Sequence, residues 1–296
     1  MQGCHKLQRY SSGKKGVTGF ANISTRNKTH MSNTMQSSSP TFKNVRCLFT
    51  DIDDTISTEG KITQQAYDAL WRAHDAGLVV VPVTGRPAGW VDHIARMWPV
   101  DGVIGENGGL YMRMTEQGLQ RVFRYDEAAR AGFRKRLEQI REEVLTKVPG
   151  SGIASDQAYR EYDLAIDFCE DVKPLTEDDV AEIVRIFEAH GATAKISSIH
   201  VNGWFGDFDK LTMAKQYTQD VFGASLGEEN DTFAFCGDSP NDEPMFAYFK
   251  HSFGVANVRQ FLPQMTSPPA TITQSEAGAG FTEVVDAILR DRQTVS

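Results

Sequence analysis

The sequence predicts an α/β fold in which a parallel sheet core is interrupted by an inserted α+β cap domain. Short apolar runs alternate with helical periods from Val45 onward, and the same alternation returns near the C-terminus. Strands that alternate with helices form a parallel sheet with helices on its faces, as in Rossmann-like cores. The segment between these two halves follows another pattern, which indicates a separate domain.

The first half of the predicted core contains three strands and two helices. Residues 45–49, 78–83 and 102–104 are apolar runs that we interpret as buried strands. Gly77 ends the first helix, as glycine commonly does. The apolar faces of the two helices comprise Ile62, Ala66, Ala69, Leu70 and Ala73, then Val91, Ile94, Ala95 and Trp98.

The second half of the core has strands predicted at 232–236 and 253–256, followed by a closing helix that carries Phe281, Val285 and Leu289. Between the halves we expect helices at 127–147 and 176–190 and strands within 164–168 and 193–204. We therefore predict a core of residues 42–124 and 200–296 and a cap of residues 125–199. We expect the true boundaries to lie within several residues of these positions.

Residues 1–41 are rich in Ser, Thr, Asn, Gly and Lys and have no sustained apolar period, which predicts a disordered tail. The first 40 residues carry six basic side chains and no acidic one. A targeting peptide is disfavoured because an amphipathic stripe is missing. We favour an inert tail or an internal start at Met31 or Met35.

Composition restricts the partners of this chain. The 40% hydrophobic content and the lack of an apolar run of about 20 residues predict a soluble protein without a membrane partner. Removing the six basic residues of the tail leaves 25 basic against 39 acidic residues, or −14, which disfavours nucleic acid as a partner. The four scattered cysteines indicate free thiols and a reducing, cytoplasmic location.

The strongest chemical signal is the run Asp51-Ile52-Asp53-Asp54-Thr55, which directly follows the first predicted strand. Open parallel sheets bind ligands at the carboxyl ends of their strands. Three carboxylates at such a place repel one another unless a cation or a proton offsets their charge. An isolated Asp-x-Asp is often only a solvated acidic turn, so further signals are needed.

Three further clusters lie at predicted strand ends or helix starts. Thr84-Gly85-Arg86 follows the second strand and offers a hydroxyl and amides for phosphate oxygens. Residues 237–242 contain Asp238, Asn241 and Asp242 after the strand at 232–236, and Lys210 precedes a helix. Two acidic strand ends, a hydroxyl and a lysine together predict a site for a metal and a phosphate.

In this order, the four pieces resemble the four motifs of the haloacid dehalogenase superfamily. The long interval from Thr84 to Lys210 resembles the subclass with a large α/β cap between the second and third motifs. That layout is similar to mannosyl-3-phosphoglycerate, sucrose-phosphate and trehalose-phosphate phosphatases. The resemblance implies an Mg²⁺-dependent phosphatase that acts on a small sugar-type phosphate ester.

The resemblance also implies roles for individual residues. Asp51 would attack phosphorus to form an aspartyl-phosphate, and Asp53 would act as acid and then as base, which requires a pKa raised by its acidic neighbours. Lys210 and Thr84 complete the catalytic set by offsetting phosphoryl charge. Magnesium would be held by Asp51, the carbonyl of Asp53, Asp238 and Asp242.

Substrate contacts are predicted from the motifs and from the cap. Phosphate is expected at Thr84, Gly85 and Arg86, with Asn107 and Asn241 facing the substrate. Arg160 and Asn202 lie on cap segments that alternate polar and apolar residues, so they are candidates for recognising the leaving group. Thr84 and Asp242 have a plainer alternative, because both residue types commonly cap helices.

Two other functions remain open at this point. A phosphotransferase of the phosphomannomutase type would use the same nucleophile and acid, and would pass the phosphoryl group to a second sugar. A ligand-sensing module on the same scaffold would be expected to lack Asp51, Asp53, Lys210 or Asp238, and all four are present. The oligomeric state is not indicated by the sequence.

Overall fold

The computed structural model describes residues 41–197 and 199–293, so the predicted disordered tail falls outside the described residues except for Thr41. Across these two ranges, every helix is too short or too polar to cross a lipid bilayer. The strands are β1 (Cys47–Thr50), β2 (Ser57–Thr58), β3 (Lys61–Ile62), β4 (Val79–Pro82), β5 (Val103–Gly105), β6 (Leu110–Thr115), β7 (Gly118–Phe123), β8 (Gly152–Ile153), β9 (Asp163–Asp167), β10 (Thr193–Ile196), β11 (His200–Trp204), β12 (Phe233–Gly237), β13 (His251–Gly254) and β14 (Thr271–Ile272).

The helices are α1 (Gln64–Asp75), α2 (Ala88–Met97), α3 (Glu127–Lys147), α4 (Glu177–Ala189), α5 (Lys210–Phe222), α6 (Glu243–Tyr248) and α7 (Ala277–Gln293). Local signals set several helix starts. Thr63 caps α1 by accepting a hydrogen bond from the amide of Ala66, and Thr176 forms a capping box with Asp179 at the start of α4.

The core is a five-stranded parallel sheet in the order β14-β13-β12-β1-β4. The central strand β12 and its neighbour β1 are buried along their whole lengths, because both faces of the sheet are covered. Leu48 and Val80 pack on one face with residues of α1, α2 and α7. Phe49 and Val81 pack on the other face with residues of α5 and α6. The predicted α/β class and parallel sheet are confirmed.

A second sheet, β5-β6-β7, is antiparallel and joins the edge of the core through a parallel bridge between Val83 and Ile104. Its β6–β7 hairpin goes beyond the elements that the sequence predicts. The small hairpin of β2 and β3 follows the acidic run after β1.

The insert contains a four-stranded antiparallel sheet in the order β10-β11-β9-β8. Leu164, Ile166 and Val201 point to one face and pack with apolar residues of α3 and α4. Strand β11 pairs with β9 along its whole length although it lies beyond the predicted cap boundary at residue 199. The sheet thus extends to Trp204, and the division of the chain into core and cap stays a prediction.

Candidate active site

Two neighbouring strands deliver carboxylates to the same edge of the central sheet. β1 ends directly before Asp51, and β12 ends directly before Asp238. The two strands are parallel partners, and the amide of Asp51 donates a hydrogen bond to the carbonyl of Cys236 at 2.8 Å. Pairing of these strands therefore brings together acids that are distant in sequence, at the edge where open parallel sheets bind ligands.

Lys210 connects two of the acids. It is the first residue of α5, and its Nζ donates to Oδ1 of Asp51 at 2.7 Å and to Oδ1 of Asp242 at 2.8 Å. All three side chains are buried. Burial lowers the pKa of Lys210, but the charges of Asp242 and Asp51 outweigh burial and raise that pKa well above its ordinary value. The side chain is therefore held as a cation.

Asp51, Asp238 and Asp242 form a cluster in which one carboxylate oxygen of each lies within 4.8 Å of the others. Burial raises the pKa of Asp51 to about 7 in spite of the Lys210 charge, and Asp242 and Asp53 add to the increase. Burial, followed by Asp51 and Asp242, also raises the pKa of Asp238. The oxygen ligands and the excess negative charge fit a hard divalent cation such as Mg²⁺.

Asn257 supports this cluster although it is not among the predicted site residues. Its Nδ2 donates to the carbonyl of Asp54 at 2.9 Å and lies 3.4 Å from Oδ2 of Asp238. Asn257 comes three residues after β13, so the strand-end rule that identified Asp51 and Asp238 also applies to it.

Asp53 lies beside a cation instead of another carboxylate. Nη2 of Arg86 is 2.6 Å from Oδ1 of Asp53, and Nε of Arg86 donates to both oxygens at 3.1 Å. The guanidinium also lies 4.6 Å above the ring of Trp90. The direct hydrogen-bond partner of Asp53 is therefore Arg86, a contact that the sequence does not predict, and the role of Asp53 as acid and base stays a prediction.

The turn after β4 packs against the turn after β5. Thr84 is fully buried, its hydroxyl accepts from the amide of Arg86 at 3.0 Å, and its carbonyl accepts from the amide of Asn107 at 3.1 Å. Gly108 has φ +105, and a Cβ there would lie 2.1 Å from the carbonyl oxygen of Asp209. Only glycine permits this approach of the Asn107 turn to the start of α5.

The helix-capping alternatives can be compared with the geometry. Pro87, not Thr84, precedes α2 at the capping position. Asp242 precedes α6 but makes no side-chain capping bond; its Oδ2 accepts from the amide of Asp238 at 3.1 Å, and Oδ1 accepts from Lys210. Thr84 therefore contributes its hydroxyl to the turn after β4, and Asp242 belongs to the carboxylate cluster at the strand ends.

Known proteins are similar to this chain in sequence and in fold. Residues 48–131 match the family model described as haloacid dehalogenase-like hydrolase. Over this range, from β1 to the start of α3, the chain is similar to that family. A phosphoglycolate phosphatase of Methanoculleus marisnigri is 26% identical to this chain over 245 residues, which cover 81% of the chain and 95% of the relative.

Solved structures show the same fold as this chain at low sequence identity. Protein 0175 of Thermoplasma acidophilum has a TM-score of 0.64 and 18% identity, covering 82% of this chain and 98% of that one. The sucrose-phosphatase of Synechocystis, solved with sucrose and phosphate, has a TM-score of 0.58 and 15% identity, covering 83% and 98%. These likenesses extend over the insert as well as the core.

Arg160 and Asn202, the two predicted substrate contacts from the insert, are engaged in hydrogen bonds within the protein. Arg160 is 2% exposed at its side chain and pairs with Asp156 and Asp163, and its Nη1 donates to the carbonyl of Gly85 at 3.3 Å. Nδ2 of Asn202 donates to Oδ2 of Asp163 at 2.9 Å. Arg160 thereby contacts the turn of residues 84–86, and a direct substrate contact for Arg160 or Asn202 stays a prediction.

The structure reveals a role for Glu106, which the sequence presents only as a neighbour of Asn107. Its buried carboxylate accepts from the amide of Ala88 at 2.9 Å and from the amides of Glu161, Tyr162 and Asp163 at 2.6–3.2 Å. One carboxylate thus joins the start of α2 to the cap. Burial and the charge of Asp163 raise its pKa to about 8 against the effect of the amide donors.

Proposed function

We propose that this protein is a magnesium-dependent phosphomonoester hydrolase that acts on a small sugar-type phosphate through an aspartyl-phosphate intermediate. The observation that carries the proposal is the buried contact of Lys210 with Asp51 and Asp242, beside Asp238, at the carboxyl edge of the sheet. The phosphatases named among the relatives support the reaction class.

Asp51 is the proposed nucleophile because its carboxylate lies at the centre of the site. An oxygen of Asp51 forms a bond to phosphorus while the bond from phosphorus to the ester oxygen breaks. Water then attacks the phosphorus, the Asp51–phosphorus bond breaks, and inorganic phosphate leaves. This route divides one difficult displacement into two easier ones. Lys210, 2.7 Å from Asp51, offsets charge on the transferring group.

Asp53 is the proposed acid and base. It donates a proton to the leaving alcohol in the first step and accepts a proton from the attacking water in the second. In the structure its carboxylate is occupied by Arg86, so this role requires the guanidinium to move. An incoming phosphate competes for the same guanidinium, since Arg binds carboxylates and phosphates by the same donors.

Asp51, Asp238, Asp242 and the carbonyl of Asp53 are the proposed Mg²⁺ ligands. Held by these residues, Mg²⁺ would supply positive charge that neutralises the phosphoryl oxygens. The side chains of Thr84 and Asn107 and the amides of Gly85 and Arg86 are proposed to orient the remaining phosphate oxygens. Asn241, exposed at the same cleft, is proposed to face the substrate.

The test is phosphate release from a panel of sugar phosphates and phosphoglycolate, with and without Mg²⁺. We expect magnesium-dependent release by the wild type and its loss in Asp51→Asn. Asp178→Asn, a change of the same type at an exposed position on α4, is the control and should retain the activity. Release that survives Asp51→Asn would exclude Asp51 as the nucleophile. Labelling of an added acceptor sugar without net release would replace hydrolysis by phosphoryl transfer.

A further inference from the structure

The polar face of the cap sheet lies towards the active site. Lys195 on β10 pairs with Asn202 on β11, and cross-strand partners share a face. Asn202 in turn donates to Asp163 on β9. The opposite face is occupied by the apolar contacts with α3 and α4. The adjoining Arg160, paired with Asp163, reaches the carbonyl of Gly85 in the phosphate-binding turn.

Lys195 enters the cleft that contains the catalytic lysine. The cleft is lined by residues from the cap and the core, among them Asn107, Lys195, Trp204, Asp209, Lys210 and Asn241. Partial burial in the cleft, followed by the charge of Lys210, lowers the pKa of Lys195 against the opposing effect of Asp209 and Asp242. A second ammonium therefore lies close to the first, at the junction of cap and core.

The two ammonium groups differ in their partners. Lys210 forms ion pairs with both Asp51 and Asp242. Within residues 41–197 and 199–293, no hydrogen bond or ion pair engages the ammonium of Lys195. Asp209, the residue before Lys210, accepts from the amide of Thr212 as the cap of α5. An exposed lysine without a partner, on the wall of a cavity that Lys210 also lines, offers a binding site for an anion.

We propose that Lys195 binds a second anionic group of the substrate, so that the preferred phosphate ester carries a carboxylate or a second phosphate on its leaving group. This inference rests on the proposed function and specifies the substrate class of the same site. The transferred phosphoryl group lies at Asp51 and Lys210, and the second anion lies at Lys195 on the cap side. A neutral polyol leaving group leaves Lys195 unpaired.

The experiment compares esters that differ only in the second anion. Phosphoglycolate is paired with 2-hydroxyethyl phosphate, and glucose 1,6-bisphosphate is paired with glucose 6-phosphate. For each pair we measure the ratio of kcat/KM for the doubly anionic ester to that for the neutral one. The variants are Lys195→Met, Lys195→Arg, which keeps the charge, and Lys135→Met, an exposed lysine on α3 and the matched control.

In the wild type we expect the ratio to favour the doubly anionic ester in one of the two pairs, which identifies a carboxylate or a phosphate as the second anion. Lys195→Met should lower that ratio about 10- to 100-fold, mainly through KM, because a charge-assisted hydrogen bond is lost. Lys195→Arg should restore most of it, and Lys135→Met should leave it unchanged.

Two outcomes separate this inference from the proposed function. If the wild type hydrolyses both members of each pair equally, or if Lys195→Met lowers both equally, the inference is overturned and the hydrolase remains. If no ester releases phosphate in the presence of Mg²⁺, the proposed function fails and the inference fails with it.

Discussion

Replacement of Glu106 by glutamine tests the bond between core and cap with the smallest change of shape. The carboxylate accepts from four backbone amides, those of Ala88, Glu161, Tyr162 and Asp163. A glutamine keeps one acceptor oxygen and turns an NH₂ group towards the remaining donors. In either orientation at least one buried N–H group then faces another donor.

The magnitude follows from two opposing effects. Each buried donor left without an acceptor costs about 1–3 kcal/mol. Loss of the charge recovers part of that cost, because burial, followed by Asp163, raises the pKa of Glu106 to about 8 and so makes its charged form unfavourable at neutral pH. We expect Glu106→Gln to lower the free energy of unfolding by about 1–3 kcal/mol.

Urea denaturation gives the change in stability, and hydrogen exchange at the amides of Ala88 and of residues 161–163 reports the bonds themselves. Those amides should exchange faster in Glu106→Gln. Glu116→Gln, at an exposed position, is the control and should change stability by no more than about 0.5 kcal/mol. A Glu106→Gln variant with wild-type stability and unchanged amide exchange would refute the reasoning.

Three further predictions concern the site. Lys210→Met should lower the free energy of unfolding in metal-free buffer by about 3–5 kcal/mol, since it leaves Asp51 and Asp242 buried without their cation. Urea denaturation measures this change, and a loss below about 1 kcal/mol would contradict the prediction. Mg²⁺ should raise the melting temperature more at about pH 8 than at about pH 5.5. The pKa of Asp51 is raised to about 7 and that of Asp238 is also raised, so protons compete with the ion below neutrality. Calorimetry in two buffers should show proton release at the lower pH, and equal stabilisation at both pH values would count against a metal at these acids. Gly108→Ala should lower the free energy of unfolding by about 2 kcal/mol more than Gly60→Ala does. Both glycines have positive φ, but of the two only Gly108 faces the carbonyl of Asp209. Equal losses of stability in urea denaturation would contradict the steric argument.

The pattern of apolar runs was sufficient to predict the parallel sheet, because a strand buried on both faces reads as a continuous apolar run. A second rule, that the carboxyl ends of parallel strands meet at one edge of the sheet, predicted that Asp51 and Asp238 lie close together. The β6–β7 hairpin was harder to predict: Leu110–Thr115 is only partly buried and interrupts its apolar residues with Arg113. The pairing of β11 with β9 depends on strand contacts and not on local pattern, so the sequence predicts strand structure at 193–204 without predicting the order of the sheet.

Side-chain partners could not be predicted from the sequence where they depend on tertiary placement. Arg86 is 33 residues from Asp53, and only the packing of two strand-end turns brings them into contact. The partners of Glu106 are backbone amides, which every residue except proline supplies, so no residue type marks them. Lys195 lies on an edge strand of the insert, and its proximity to Lys210 follows from the docking of the two sheets.

The amide partners of Glu106 also affect how the insert can diverge. The carboxylate recognises the path of the main chain at residues 161–163 and not the side chains carried there. Chimaeras that exchange the insert should therefore keep these hydrogen bonds with other side chains at residue 161, provided that proline is avoided and the turn keeps its course. Within these hydrogen bonds the core supplies one side chain and the insert supplies only backbone, so they constrain the residue type at position 106 far more than at position 161.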